Sequence, residues 1–175
     1  YAPIVHSEIS RDGQRLAALV PHAGTGKGRG TLQLLVLRPN SDSWSRMNHG
    51  AISVISPVFS PDAATIAALR ITEDGPDAAL LPFDGGDPVP LTLPRWAVAM
   101  KWDGALPTCI GVDKQETRRV YRWKDPATRP GTLTPAGFQV GDYALRKGRL
   151  AWLHQSAGWP TGGAEAGGLE HRGDS

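Results

Sequence analysis

An all-β chain, folded as a series of small antiparallel sheets, is what this sequence predicts, and three observations predict it. Glycine (21) and proline (15) are abundant among the 175 residues. They recur between short apolar runs, where they end strands and disfavour helices. A segment also repeats. "ISRDGQRLAALV" from Ile9 is matched by "FSPDAATIAALR" from Phe59, with Asp12 and Asp62, and Ala17-Ala18-Leu19 and Ala67-Ala68-Leu69, at a spacing of 50 residues. Weaker copies occur in "MKWDGALPTCIGV" from Met100 and "ALRKGRLAWLH" from Ala144, with Lys147 where the aspartate stood.

A period near 40 to 50 residues fits one four-stranded blade of a β-propeller. Each copy opens on a turn. In "SPDA", Ser60 starts the turn, Pro61 presets φ and Asp62 bonds its own backbone two residues on. "SRDG" and "WDG" end in glycine, which accepts the left-handed conformation that closes such a turn. Leu16 to Val20, Thr65 to Arg70 and Leu150 to Leu153 then read as central strands. They are too apolar to face water on either side, as expected where neighbouring blades cover both faces.

The second copy gives a whole blade. Ile55 to Phe59 is the inner strand and Thr65 to Ile71 the next. "TEDGPD" reads as a loop and Ala78 to Phe83 as the third strand. "DGGD" is a hairpin turn. "PVPLTL" is the outer strand, where Pro88 and Pro90 are tolerated at an edge. In the first copy, "PHAGTGKGRG", Pro21 to Gly30, falls between the second and third strands. Its glycines and lysine invite comparison with a phosphate-binding loop. That loop needs a glycine at Pro21, a Ser or Thr at Gly28 and a helix immediately after it. The next residues are instead "TLQLLVL", Thr31 to Leu37, a buried strand ending at Arg38-Pro39, so the segment is an exposed blade loop.

The blades fall at about 4–50, 51–95, 96–137 and 138–156: a partial β-propeller of about three and a half four-stranded blades. From Ala157 the Gly-rich tail, 157–175, has no periodicity and reads as disordered or frame-altered. Its Arg172-Gly173-Asp174 triplet is a chance occurrence. The N-terminus "YAPIVHSEIS" is not a signal peptide, and the chain reads as part of a longer product, with a cytoplasmic location expected.

Composition excludes several classes. The formal charge is +2, from 19 Lys and Arg against 17 Asp and Glu. The densest basic group is Arg118-Arg119 and Arg122-Lys124, so nucleic acid is not an expected partner. No apolar run approaches the ~20 residues that span a bilayer, and no membrane partner is expected. Cys109 reads as a buried structural thiol. His6, His22, His49, His154 and His171 lie in no metal-ligand or triad spacing, and no cofactor is expected. Trp44, Trp96, Trp102, Trp123 and Trp152 lie on or beside predicted strands, where packing between blades is the expected role.

"SPDAATIAALR", "LLPFDGGDPVPLTLPR" and "FQVGDYALRKGRLAWLHQS" resemble the N-terminal β-propeller of prolyl-oligopeptidase-family serine peptidases, nearest to the acylaminoacyl-peptidase and dipeptidyl-peptidase-like enzymes. The match covers roughly Ile4 to Ser156. The D-G-G-x-P-x-x-L-T spacing, Asp84 to Thr92, favours this family over TolB-type propellers, which share the S-P-D-G turn. Arg11, Ala63 and the shortened Trp102-Asp103-Gly104 depart from the pattern.

In such peptidases catalysis resides in an α/β-hydrolase domain with G-x-S-x-G, then Asp and His. This sequence has no G-x-S-x-G, so no catalytic, metal or cofactor residue is assigned within it. The resemblance implies a propeller that gates and positions peptide substrates for a hydrolase domain of the parent chain. The alternative is a TolB-like binding module with no enzyme partner. Three and a half blades should leave two apolar blade faces open and "LAWLH" as a bare strand edge. Self-association through those faces is therefore expected.

Overall fold

The computed structural model describes residues 3–22, 31–48, 51–93, 96–102, 104, 106–137, 139–146, 148–155 and 165–170. Among them there is no helix, and fifteen strands form four antiparallel sheets. The first sheet holds β1 (His6–Ile9), β2 (Leu16–His22), β3 (Thr31–Leu37) and β4 (Ser45–Arg46). The second holds β5 (Ser53–Phe59), β6 (Thr65–Thr72), β7 (Gly75–Pro82) and β8 (Val89–Leu91). The third holds β9 (Trp96–Trp102), β10 (Pro107–Val112), β11 (Arg118–Arg122) and β12 (Gly131–Thr132). The fourth holds β13 (Gln139–Arg146), β14 (Arg149–Gln155) and β15 (Glu165–Glu170). Every described pairing joins strands consecutive in the chain. This is the meander of propeller blades, three of four strands and one of three, and the partial-propeller fold class holds.

The chain forms two compact units, Tyr1–Leu91 and Thr92–Ser175. Strand alternation builds the core of each. In the first unit Ala17, Leu19, Leu34, Val36 and Met47 of the first sheet cluster with Phe59, Ile66, Ala68, Ala79, Leu81 and Phe83 of the second. In the second unit Ile110 and Val120 cluster with Val140, Tyr143, Leu150 and Trp152.

The outer strands β4, β8 and β12 are only two or three residues long, which blunts the sheet edges. The inner edges are blunted otherwise. β5 shifts register between Ile55 and Val58, where Pro57 lacks an N–H and Ser56 has φ +50°. β9 carries an extra residue at Val98 and β13 one at Gly141. A bulge in the first strand of three sheets interrupts the row of groups another strand would pair with.

Three expectations change. "TEDGPD" is not a loop: Thr72 pairs with Gly75, and Pro76 and Asp77 lie in β7. Gly75 at φ +117° lets a two-residue turn, Glu73-Asp74, close the hairpin. "LAWLH" is not a bare edge, because β14 pairs with β13 on one side and β15 on the other. Likewise, the absence of regular structure expected across 157–175 does not hold for Glu165–Glu170. Backbone pairing needs no side-chain pattern, and the exposed ladder of β14 is template enough. Pro21 and His22 of the Gly-rich stretch belong to β2. The remainder of that loop, Ala23 to Gly30, and the Arg172-Gly173-Asp174 triplet lie outside the described residues.

Candidate functional surface

The repeated turn is the most regular polar feature. Ser10 Oγ donates to Asp12 Oδ1 at 2.5 Å, Asp12 Oδ1 accepts the Gln14 N–H at 3.0 Å, and Ser10 Oγ accepts the Arg15 N–H at 2.9 Å. In the second blade Ser60 Oγ donates to Asp62 Oδ1 at 2.6 Å, Asp62 accepts the Ala64 N–H at 3.0 Å, and Ser60 Oγ accepts the Thr65 N–H at 3.0 Å. Gly13 and Ala63 close the two turns at φ +72° and +59°. In the third copy Asp103 lies outside the described residues.

A serine hydroxyl on a carboxylate suggests a nucleophile with its base, but the electrostatics point the other way. The serine bond, then the backbone N–H bond, hold Asp12 and Asp62 below the usual carboxylate range. A general base poised near neutrality needs the opposite shift. These pairs are turn staples.

They carry a pH prediction. A carboxyl held low when folded contributes stability above its unfolded value of about 4, and loses it as pH falls through the folded value. Asp142, held low first by the Lys101 hydrogen bond, acts in the same direction. Glu8, raised by burial, opposes them. Urea midpoints are expected to be flat toward neutral pH and to drop below about pH 4. Ser60→Ala should shallow that drop, and an unchanged slope would show that the staple plays no part in it.

The other reactive side chains are occupied or inert. Cys109 is fully buried and burial pushes its thiol up to about 12, so the thiolate is absent at neutral pH. The hydroxyls of Thr108 and Tyr143 share a buried 2.8 Å hydrogen bond. Lys101 Nζ donates to Asp142 Oδ1 at 2.8 Å and to the Tyr143 carbonyl, and lies 4.8 Å over the Tyr143 ring. His6 and His22 are exposed on β1 and β2, and His154 lies on β14. His49 and His171 lie outside the described residues. Among the described residues no three of His, Cys, Asp and Glu are grouped as metal ligands.

Tryptophan packing agrees with expectation only in part. Trp123 is buried and donates Nε1–H to the Thr92 carbonyl at 2.9 Å, and Trp152 is buried in the second-unit core. Trp102 is half-buried. Trp44 and Trp96 are 43% and 52% exposed. The first stands beside the two-residue strand β4 and the second begins an inner strand, where little sheet surface covers a large ring.

Among the described residues, the sheet faces carry the remaining side chains of interest. On the first sheet, the face away from the core carries Ile9, Leu16, Ala18, Val20, Leu35 and Leu37 by register. Ile9 is 57% exposed, as is Val5 just before β1. On the fourth sheet the corresponding face carries Asp142, Ala144, Arg146, Arg149, Ala151 and Leu153. The first-sheet face is apolar as expected, but of its six residues only Ile9 is exposed and Ala18 is buried. The apolar character expected of the fourth sheet fails, since β13 and β14 bring charged side chains around two alanines and one leucine.

No protein-family profile and no curated protein matches this sequence. Solved structures do. A protein assigned as TolB from Agrobacterium tumefaciens superposes with a TM-score of 0.68 at 18% identity, over 97% of this chain and 58% of that one. The β-propeller domain of the trilobed protease from Pyrococcus furiosus gives 0.72 at 11% identity, over 97% and 55%. A protein assigned as dipeptidyl aminopeptidase IV from Bacteroides ovatus gives 0.69 at 11%, over 97% and 33%. At these identities the likeness is one of fold, and this chain spans well under two thirds of each structure.

Proposed function

We propose that this chain is a non-catalytic propeller segment of a prolyl-oligopeptidase-type serine peptidase, gating and positioning peptide substrates for an α/β-hydrolase domain outside these 175 residues. The observation that carries the reading is the second blade. Its D-G-G hairpin has Gly85 and Gly86 at φ +107° and +116°, leading into the short β8. The same chain superposes on the propeller domain of a protease. The role is exclusion and orientation, since the described side chains build no nucleophile with a base.

The TolB likeness supports the second reading, a binding module without an enzyme. One experiment separates the two. The endogenous product is captured with an antibody to this chain and exposed to a fluorophosphonate probe, which labels activated serines. The peptidase reading expects a labelled product larger than this chain. The isolated chain should stay unlabelled and hydrolyse neither acyl-aminoacyl nor dipeptidyl substrates. An unlabelled endogenous product would overturn the peptidase reading in favour of the binding module.

A further inference from the structure

The third strand of each four-stranded sheet runs on past its short outer strand, and the backbone amides left there need acceptors. In the first sheet two polar side chains supply them. Asn48 Oδ1 accepts the Leu34 N–H at 2.9 Å and Ser53 Oγ accepts the Leu32 N–H at 2.9 Å. The Met47 N–H donates to the Leu34 carbonyl at 2.8 Å.

The third sheet repeats this arrangement with other residue types. Thr134 Oγ1 accepts the Val120 N–H at 3.1 Å and Gln139 Oε1 accepts the Arg118 N–H at 2.9 Å. The Leu133 N–H donates to the Val120 carbonyl at 2.8 Å. Asn48, Ser53 and Thr134 are buried polar residues with this one shared task. Ser53 and Gln139 each begin the inner strand of the following sheet, β5 and β13. Their bonds are therefore clasps between successive sheets, the first to the second within the first unit and the third to the fourth within the second.

The second sheet lacks the parts for such a clasp. Leu91 pairs with Ala78. Ala78 thus corresponds to Leu34 and Val120, and Pro76, two residues earlier, corresponds to Leu32 and Arg118. Proline has no N–H to donate. The next inner strand, β9, begins with Trp96, whose indole offers no acceptor. Thr92 follows Leu91 as Asn48 follows Met47 and Thr134 follows Leu133. Its own bonds stay within the second unit. The Thr92 N–H donates to the Pro126 carbonyl at 3.2 Å, its hydroxyl to the Ala127 carbonyl at 3.3 Å, and its carbonyl accepts Trp123 Nε1–H at 2.9 Å. The series of clasps breaks where the chain passes from one compact unit to the other, between Leu91 and Thr92.

We propose that the chain opens as two independent bodies, each fastened by its own clasp, so that one unit can loosen while the other stays closed. An unbroken series of clasps would couple all four sheets into one opening. The inference stands apart from the peptidase reading, and its test reads opening alone.

Amide hydrogen exchange of the whole chain, followed residue by residue, tests this. In rising urea below the unfolding transition, the protected amides of β2, β3, β6 and β7 should converge on one opening. Those of β10, β11, β13 and β14 should converge on a second. Ser53→Ala leaves the Leu32 N–H without its acceptor and should speed exchange in the first unit about tenfold, with the second unit unchanged. Gln139→Ala should do the converse, by less, because Gln139 is exposed. If Ser53→Ala fails to fold, Gln139→Ala and the wild-type urea series carry the test. A single opening shared by both units, faster exchange in both units from either substitution, or an unchanged Leu32 amide in Ser53→Ala would each overturn the proposal.

Discussion

Phe83→Ala is expected to destabilise the chain by about 3–5 kcal/mol, a large part of the stability of an ordinary domain. Phe83 is fully buried where the two sheets of the first unit meet, its ring 5.6 Å from that of Phe59. Arg15 and Arg38 lie over it at 4.7 and 5.3 Å, and Arg38 also donates to the Phe83 carbonyl at 2.9 Å. Alanine keeps that carbonyl but leaves a cavity and removes the surface both guanidiniums rest on. Phe83→Leu restores most of the apolar volume and should lose far less, its remaining loss relative to wild type including the cation–ring contacts. Urea unfolding of both variants measures this. An alanine variant within about 1 kcal/mol of wild type would mean that the sheets close over the gap.

Asp77→Ala is expected to cost about 3 kcal/mol, the low end of what breaking a buried ion pair costs, because Asp77 is itself 35% exposed. Arg70 is buried in β6, and Asp77 is its direct cross-strand partner in β7. The two form a fork, Nε to Oδ1 at 2.8 Å and a terminal nitrogen to Oδ2 at 2.6 Å. Removing the carboxylate takes both bonds of this fork from a buried guanidinium on the apolar side of the sheet. Asp77→Asn keeps an acceptor for one arm of the fork and should lose less. Equal losses for Ala and Asn in urea unfolding would show that the charge, not the hydrogen bond, is what Arg70 needs.

Most of the strand pattern was legible because propeller strands are short, apolar and punctuated. β2, β6 and β7 sit where the repeat and the Asp-Gly turn place them. The hairpin at Glu73-Asp74 was missed because Gly75 and Pro76 look like breakers. Glycine there supplies the positive φ of a tight turn, and proline is tolerated near the start of a strand. The bulges at Ser56-Pro57, Val98 and Gly141 leave no pattern in a single sequence beyond one misplaced residue each.

Side-chain partners were less legible. Arg15 meets Phe83, and Arg70 meets Asp77, only after two strands have been laid side by side. Arg70 had one local signal, an arginine inside a run otherwise apolar. The charged face of the fourth sheet was readable in principle, since Asp142, Ala144 and Arg146 alternate on β13, but a blade was assumed apolar on both sides. Trp44 and Trp96 read as packed between blades from their place on or beside strands, while the structure leaves them 43% and 52% exposed.

Ala63 combines two features that work against each other. Its left-handed backbone, at φ +59°, costs a residue with a Cβ roughly 1–2 kcal/mol. Its methyl group, only 2% exposed and part of the first-unit cluster, returns about 1 kcal/mol by burial. Glycine there would relieve the first and forfeit the second, leaving the balance near zero. Selection for folding alone therefore scarcely distinguishes the two residues at this site. Repeats of this kind can drift between S-P-D-G and S-P-D-A without any compensating change, and a glycine-based search for the repeat will pass over copies whose turns are structurally the same.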